Sequence, residues 1–198
     1  MGRRLLLGCA LLALAGCGGS SSSQSEPPAA GTTTTTVTVP TTTAEQTDPL
    51  AGADTNSVVA PGTANSTSLI NRVAIGHHQG YDRVVFQFRD AGLPGYRVEY
   101  VEPPLKEDGS GNPVDVAGNA FVVVRMEPAS GFDMNTGEGQ LVYKGPKRLP
   151  GTGVVKEAVR TGDFEAVLSW AIGLDGKVPF RVTTASSPSR LIVDFRNT

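Results

Sequence analysis

Cysteine is nearly absent from this sequence. The 198 residues hold two, Cys9 and Cys17. Both lie in the first seventeen positions, so the remainder of the chain can form neither a disulfide nor a thiolate metal site. Histidine is equally scarce, with His77 and His78 side by side. Neighbours on a strand point to opposite faces, so these two cannot share one metal ion. No metal site or cofactor is expected. No Gly-x-Ser-x-Gly elbow, phosphate loop or dinucleotide fingerprint occurs. No apolar run reaches the roughly 20 residues needed to span a bilayer. An excess of basic charge is also missing. From Ser68 to Thr198 there are fifteen Lys/Arg and fifteen Asp/Glu. A neutral domain is a poor nucleic-acid binder, because phosphate contact relies on clustered basic residues, and this balance gives no argument for an anionic surface either.

What the chain does have starts at its N-terminus. Arg3 and Arg4 precede an apolar stretch, Leu5 to Leu14, followed by Leu14-Ala15-Gly16-Cys17. A short positive region, an apolar region and small residues at the cut site make residues 1–16 a signal peptide. Leu-Ala-Gly-Cys is similar to the bacterial lipobox, in which the cysteine thiol receives a diacylglyceryl group and becomes the first mature residue. Leu7 is too large for the small position ahead of Cys9. Cys17 is therefore the expected lipidation site. That places the protein on the extracytoplasmic face of the cell membrane, with the membrane as a partner through the lipid.

Residues 17–67 are of low complexity, with four consecutive serines, Pro27-Pro28, Thr32 to Thr36 and no aromatic residue. Such a segment buries too little apolar area to offset its conformational entropy, so a disordered linker is expected. As a flexible coil, fifty residues reach about 40 Å on a root-mean-square basis. Ser/Thr/Pro-rich tracts are also common carriers of O-linked sugars.

Composition shifts near Leu69. The rest alternates apolar and polar residues between Gly, Pro, Asn and Asp, with no long helical period. The alternation predicts strands at Asp82–Arg89, Phe164–Ile172 and Arg190–Phe195, with Val84, Phe86, Phe88, Phe164, Ala166, Leu168, Trp170, Ile172, Leu191, Val193 and Phe195 facing inward. Further strands are expected at Ile70–Gly76, Gly95–Val101, Ala120–Met126, Leu141–Tyr143, Val154–Arg160 and Pro179–Thr184. Asp175-Gly176 reads as a hairpin turn joining the Trp170 and Phe180 strands. Glu107–Gly118 and Pro128–Gly139 read as loops, one of which could hold a short helix. The expected fold is all-β, an antiparallel β-sandwich of short strands over residues 68–198, preceded by the disordered stalk.

A weak repeat aligns Tyr81-Asp82-Arg83-Val84-Val85-Phe86-Gln87-Phe88-Arg89 on Pro188-Ser189-Arg190-Leu191-Ile192-Val193-Asp194-Phe195-Arg196. These two stretches resemble the signature strands of AMIN-type domains. Ala166 to Gly176 and Pro179-Phe-Arg-Val resemble the internal strands between them. The likeness is to the AMIN-like domain of actinobacterial surface lipoproteins, a relative of the domains found beside N-acetylmuramoyl-L-alanine amidases. What the resemblance implies is a β-sandwich that binds cell-envelope glycan, with peptidoglycan as partner.

Binding rather than catalysis is the expected activity. Glu99 with Glu102, or Glu107 with Asp108, could be drawn as an acid/base pair for glycoside cleavage, but solvated loop charge is the simpler reading. The binding candidates are Tyr81 at a turn, Arg83 and Arg190 at equivalent places in the repeat, and Asp194. The alternative for the arginines is ion pairing with Asp82 or Asp194. Among the other aromatics, Trp170 belongs to the core, and Tyr96, Tyr100 and Tyr143 remain open. Two other functions stay in view, a scaffold for another envelope protein acting through loops or an edge strand, and a carrier of an apolar ligand between the sheets.

Overall fold

A computed structural model describes residues 48–197. The leader, Cys17 and the serine- and threonine-rich tracts lie outside the described residues. Thirteen strands run in chain order: β1 Val58–Ala60, β2 Ser68–His78, β3 Tyr81–Phe88, β4 Gly95–Val101, β5 Ala120–Glu127, β6 Ala129–Ser130, β7 Phe132–Asp133, β8 Gln140–Leu141, β9 Arg148–Pro150, β10 Val155–Phe164, β11 Val167–Leu174, β12 Phe180–Ser186 and β13 Ser189–Arg196. A six-stranded sheet has the order β1-β4-β5-β11-β10-β9, and a five-stranded sheet the order β12-β13-β3-β2-β6. β7 and β8 form a separate ribbon. The fold is the expected all-β sandwich. Pairing is antiparallel except between β2 and β6, where Ser68–Leu69 runs parallel to Ala129–Ser130.

Alternation explains the core. In β3 every second residue from Asp82 to Phe88 is buried, and in β13 Leu191, Val193 and Phe195 are buried. They meet Val122, Val124, Leu168, Trp170 and Ile172 of the other sheet in one cluster. Phe86 and Tyr143 both set their rings edge-on to Trp170, at centroid distances of 6.0 and 5.7 Å. Burying side chains of this size contributes about 1.5–3 kcal/mol each. Among the described residues the surface grooves are lined by loop and sheet-end residues rather than by this cluster. Carriage of an apolar ligand between the sheets therefore gains no support.

The repeat coincides with a pairing. β3 and β13 are neighbours, and Val85 lies opposite Ile192, its own repeat equivalent. Arg83 then faces Asp194 and Gln87 faces Arg190, so a local two-fold axis through Val85 and Ile192 relates the copies.

Four expectations need correction. First, the strand read at Phe164–Ile172 is two strands. Phe164 ends β10, Val167 opens β11, and Glu165 and Ala166 form the turn with φ of 50° and 60°. A two-residue hairpin turn with positive φ at both positions normally calls for Gly, Asn or Asp, and neither residue here carries that signal. Second, Asp175-Gly176 is no hairpin. It belongs to the connection that leaves the six-stranded sheet at Leu174 and joins the five-stranded sheet at Phe180. Tyr100 fixes this crossing, its hydroxyl donating to Val178 O at 2.6 Å and accepting from Val178 N at 3.0 Å. Third, the Leu141–Tyr143 strand shrinks to Gln140–Leu141, because Tyr143 turns into the core.

Fourth, the disordered linker was expected to run to Thr67, but the structure is ordered from Asp48. Leu50 is fully buried. Asp54 bridges to Phe180 through two backbone hydrogen bonds of 3.3 and 2.7 Å, and β1 pairs with β4 from Val58–Val98 to Ala60–Tyr96. These few apolar residues sit in polar surroundings. They are held by the edge of β4, by the Asp54–Phe180 bridge and by the burial of Leu50, none of which composition reveals.

Candidate functional site

The β10–β11 hairpin and the segment from β6 to the single 3-10 turn at Met134–Thr136 build a groove at one end of the sandwich. Asp163 anchors the two parts. Its carboxylate accepts from Ser130 Oγ at 2.8 Å and from Gly131 N at 2.9 Å. The strained turn is held from the same side, Ala129 N donating to Ala166 O at 2.8 Å. Positive φ at non-glycine residues costs roughly 1–2 kcal/mol each. Strain of this kind concentrates at binding sites, where the surrounding structure maintains it. Asp133 caps the 3-10 turn through Asn135 N at 3.1 Å and pairs with Arg89 at 3.0 Å. The Asn135 N–H and the Arg89 guanidinium hold its carboxyl below the ordinary range.

The groove encloses about 490 Å³ and is bounded by Leu69, Phe132, Met134, Phe164 and Ala166, with Asn135 and Glu165 at its rim. Three of its apolar residues stay open to solvent, Phe132 at 42%, Phe164 at 58% and Met134 at 72% exposure, over a floor that includes the buried Leu69. The same two phenylalanines line a second groove of about 280 Å³ containing Glu107, Asp108, Lys147, Arg160 and Thr161. Two half-exposed rings thus form a ridge with an apolar channel on one side and a charged channel on the other. A pyranose has the matching chemistry, with C–H faces that stack on aromatic rings and hydroxyl edges that seek hydrogen bonds.

The four binding candidates from the sequence lie elsewhere, on the outer face of the five-stranded sheet. Arg83 donates twice to Asp194, Nε at 2.6 Å and Nη2 at 2.9 Å, and Arg181 Nη2 lies 3.7 Å from the same carboxylate. Tyr81 is covered by His78, stacked at a centroid distance of 4.7 Å, and by the Arg83 guanidinium at 5.1 Å. Tyr81, Arg83 and Asp194 are brought together. Arg190 is not among them. It sits opposite Gln87, farther along the sheet, and its Nε has no partner.

His77 and His78 do take opposite faces, opposite Asp82 and Tyr81 respectively. His77 Nδ1 is 2.6 Å from Asp82 Oδ1, and the buried Asp82 also accepts from Asn197 Nδ2 at 2.7 Å and Val155 N at 3.0 Å. Burial alone would raise the Asp82 pKa. The bonds from Val155, Asn197 and His77 outweigh it and hold the carboxyl below its usual range. Gly153 closes over this node, since a Cβ there would collide with the Asp82 carboxylate. Thr152 is the one hydroxyl side chain among the residues lining the grooves around His77. Of the carboxylates considered for glycoside cleavage, Glu107 is bound to Lys147 at 2.6 Å, and that bond keeps its pKa low. Glu99 pairs with Arg97 at 3.5 Å.

The remaining aromatics are structural. Tyr143 is buried and donates to Pro146 O at 2.9 Å, Tyr96 packs against the core, and Tyr100 holds the sheet crossing. Phe132 and Phe164 escaped the sequence reading. Phe164 looked like an inward strand position because the turn after it bears no glycine. Phe132 had one available signal, a lone aromatic ring in a loop of glycine, serine and acidic residues.

No curated protein and no solved structure matches the chain. A protein family does, over residues 68–197, which takes in both repeat strands, the sheet crossing and the groove. With two thirds of its length matched, from β2 to the end of β13, this chain belongs to the AMIN-like domain family.

Proposed function

We propose that this protein is a lipid-anchored binding module of the cell envelope, that it holds wall glycan in the groove flanked by Phe132 and Phe164, and that it binds without cleaving. The observation that carries this reading is the ridge of two half-exposed rings between an apolar and a charged channel. Membership of the AMIN-like family supports an envelope role. The bond from Lys147 holds the Glu107 carboxyl low, which argues against Glu107 as a general acid, because that role needs a raised value. The anchor is Cys17, whose thiol receives the diacylglyceryl group and which becomes the first residue on removal of residues 1–16. A tethered domain needs little intrinsic affinity, since effective concentrations reach about millimolar for short flexible linkers.

The test is co-sedimentation of the mature chain with purified sacculi at low and high salt, with the supernatant assayed for released sugars. The expected result is weak, reversible sedimentation that survives salt, lost in Phe132→Ala/Phe164→Ala, with no sugar released. Sedimentation unchanged in the double variant would remove the groove from the account. No sedimentation of the parent would leave the protein-scaffold reading ahead. Cys17→Ala should abolish labelling by radioactive palmitate, and labelling that persists would refute the anchor.

A further inference from the structure

The even charge of the folded region conceals a segregation that the strand register creates. Outward positions of β2, β3, β12 and β13 alternate with buried ones, and they carry Arg72, Arg83, Arg181, Arg190 and Arg196. The only carboxylate among those positions is Asp194, and Asp48 of the incoming chain adds a second at Arg196. This face therefore has a formal excess of three positive charges in a domain whose fifteen basic and fifteen acidic residues cancel.

Two of the five arginines are uncommitted. Asp194 serves Arg83 and Arg181, and Asp48 serves Arg196. Among the described residues, Arg72 and Arg190 have no carboxylate within 4.0 Å. They flank Gln87, Arg190 opposite it on β13 and Arg72 opposite it on β2. Strands lie about 4.8 Å apart, so these guanidinium groups stem from positions roughly 10 Å apart on one row. Arg190 Nε and Arg181 Nε are buried against the sheet without acceptors, so any contact with a headgroup falls to the outer guanidinium nitrogens. At the opposite end of the face Tyr81, stacked on His78, is a residue of the kind that settles at a membrane–water interface.

We propose that this face is an electrostatic docking surface for a bilayer containing anionic lipid. The point where the chain enters the domain selects the bilayer over other polyanions. Asp48 is pinned to Arg196 at 2.7 Å, so the N-terminal segment leaves from the rim of this same face. The residues between Cys17 and Asp48 cannot hold the domain more than roughly 100 Å from the anchor even when fully extended. Each arginine at an anionic surface strengthens binding about fivefold. Such a face binds weakly by itself, and a tether multiplies that binding by raising its effective concentration. The tether argument rests on acylation of Cys17, while the charge distribution does not. Docked this way, the domain would lie sheet-down on the membrane, and screening by salt would release it toward the wall.

The experiment uses the mature chain begun at Gly18, which carries neither leader nor acyl group. Vesicles of phosphatidylcholine alone, and of phosphatidylcholine mixed with phosphatidylglycerol, are sedimented with it at low and at physiological ionic strength. The expected result is binding to the anionic vesicles alone, falling as salt rises. Binding should drop about tenfold or more in Arg72→Gln/Arg190→Gln, whose circular dichroism and melting should match the parent. Phe132→Ala/Phe164→Ala should bind vesicles as the parent does, which separates this surface from the glycan groove. Three outcomes would overturn the proposal: no vesicle binding, equal binding to neutral vesicles, or no loss in the arginine variant. Binding confined to sacculi that retain phosphodiester polymers would overturn it too and assign the face to the wall.

Discussion

Arg83 on β3 and Asp194 on β13 hold each other through two hydrogen bonds of 2.6 and 2.9 Å across 111 residues of sequence. The carboxylate is wholly buried, although its strand position faces outward, because Arg83 and Arg181 cover it. The local two-fold axis through Val85 and Ile192 puts Gln87 and Arg190 where Arg83 and Asp194 would be matched, so the ion pair exists in only one half of the symmetry.

That asymmetry predicts two opposite outcomes. Asp194→Ala leaves two guanidinium groups around an empty site and should destabilise by about 2–3 kcal/mol, within the range for losing hydrogen bonds to a charged group. Gln87→Glu places a carboxylate between Arg190 and Arg72 and should be neutral or stabilising by up to about 1 kcal/mol. Urea unfolding of the two variants checks both. A neutral Asp194→Ala would mean that the pair offsets only its own desolvation.

Asp82 predicts the acid limb of stability. Its folded pKa lies below the unfolded value because the bonds from Val155 N, Asn197 and His77 outweigh burial. A depressed carboxyl contributes stability that is present above the unfolded pKa of about 3.9 and is lost as pH falls through the folded value. Melting temperature should therefore decline below about pH 4, and Asp82→Asn should flatten that decline while lowering stability near neutrality. An unchanged acid slope in the variant would show that other carboxylates govern it.

The ordered segment ahead of Ser68 predicts where a truncation begins to cost. A chain started at Asp48 keeps Leu50, the Asp54–Phe180 bridge and β1. One started at Ser68 loses all three and exposes the edge of β4. Loss of the Leu50 burial alone costs about 2 kcal/mol, and the bare edge invites association. Thermal unfolding and light scattering of the two chains should differ accordingly. Equal melting temperatures would make residues 48–67 ornamental to the domain.

The sequence disclosed some of this well and some of it not at all. Val84, Phe86 and Phe88, and Leu191, Val193 and Phe195, announced their buried face by period, and the repeat pointed to two strands that prove to be neighbours. Register was not legible. That Arg83 would meet Asp194, while Arg190 met Gln87, depends on where two distant strands align. The groove was hidden by local chemistry that breaks the usual signals. Glu165-Ala166 makes a turn without Gly, Asn or Asp, so Phe164 was assigned to the core it stands outside. Asp175-Gly176 carries a hairpin signal, yet Val178 is clamped by Tyr100 and the chain changes sheets instead.

Contact between glycan and the rings of Phe132 and Phe164 is measured most directly by nuclear magnetic resonance. Amide chemical shifts of the mature chain would be followed while soluble peptidoglycan fragments are added. Progressive, saturable shifts are expected at Phe132, Asn135, Phe164 and Glu165, with Tyr81, Arg83, Arg190 and Asp194 unmoved. Shifts confined to those last four residues, or no shifts at any fragment concentration, would contradict it.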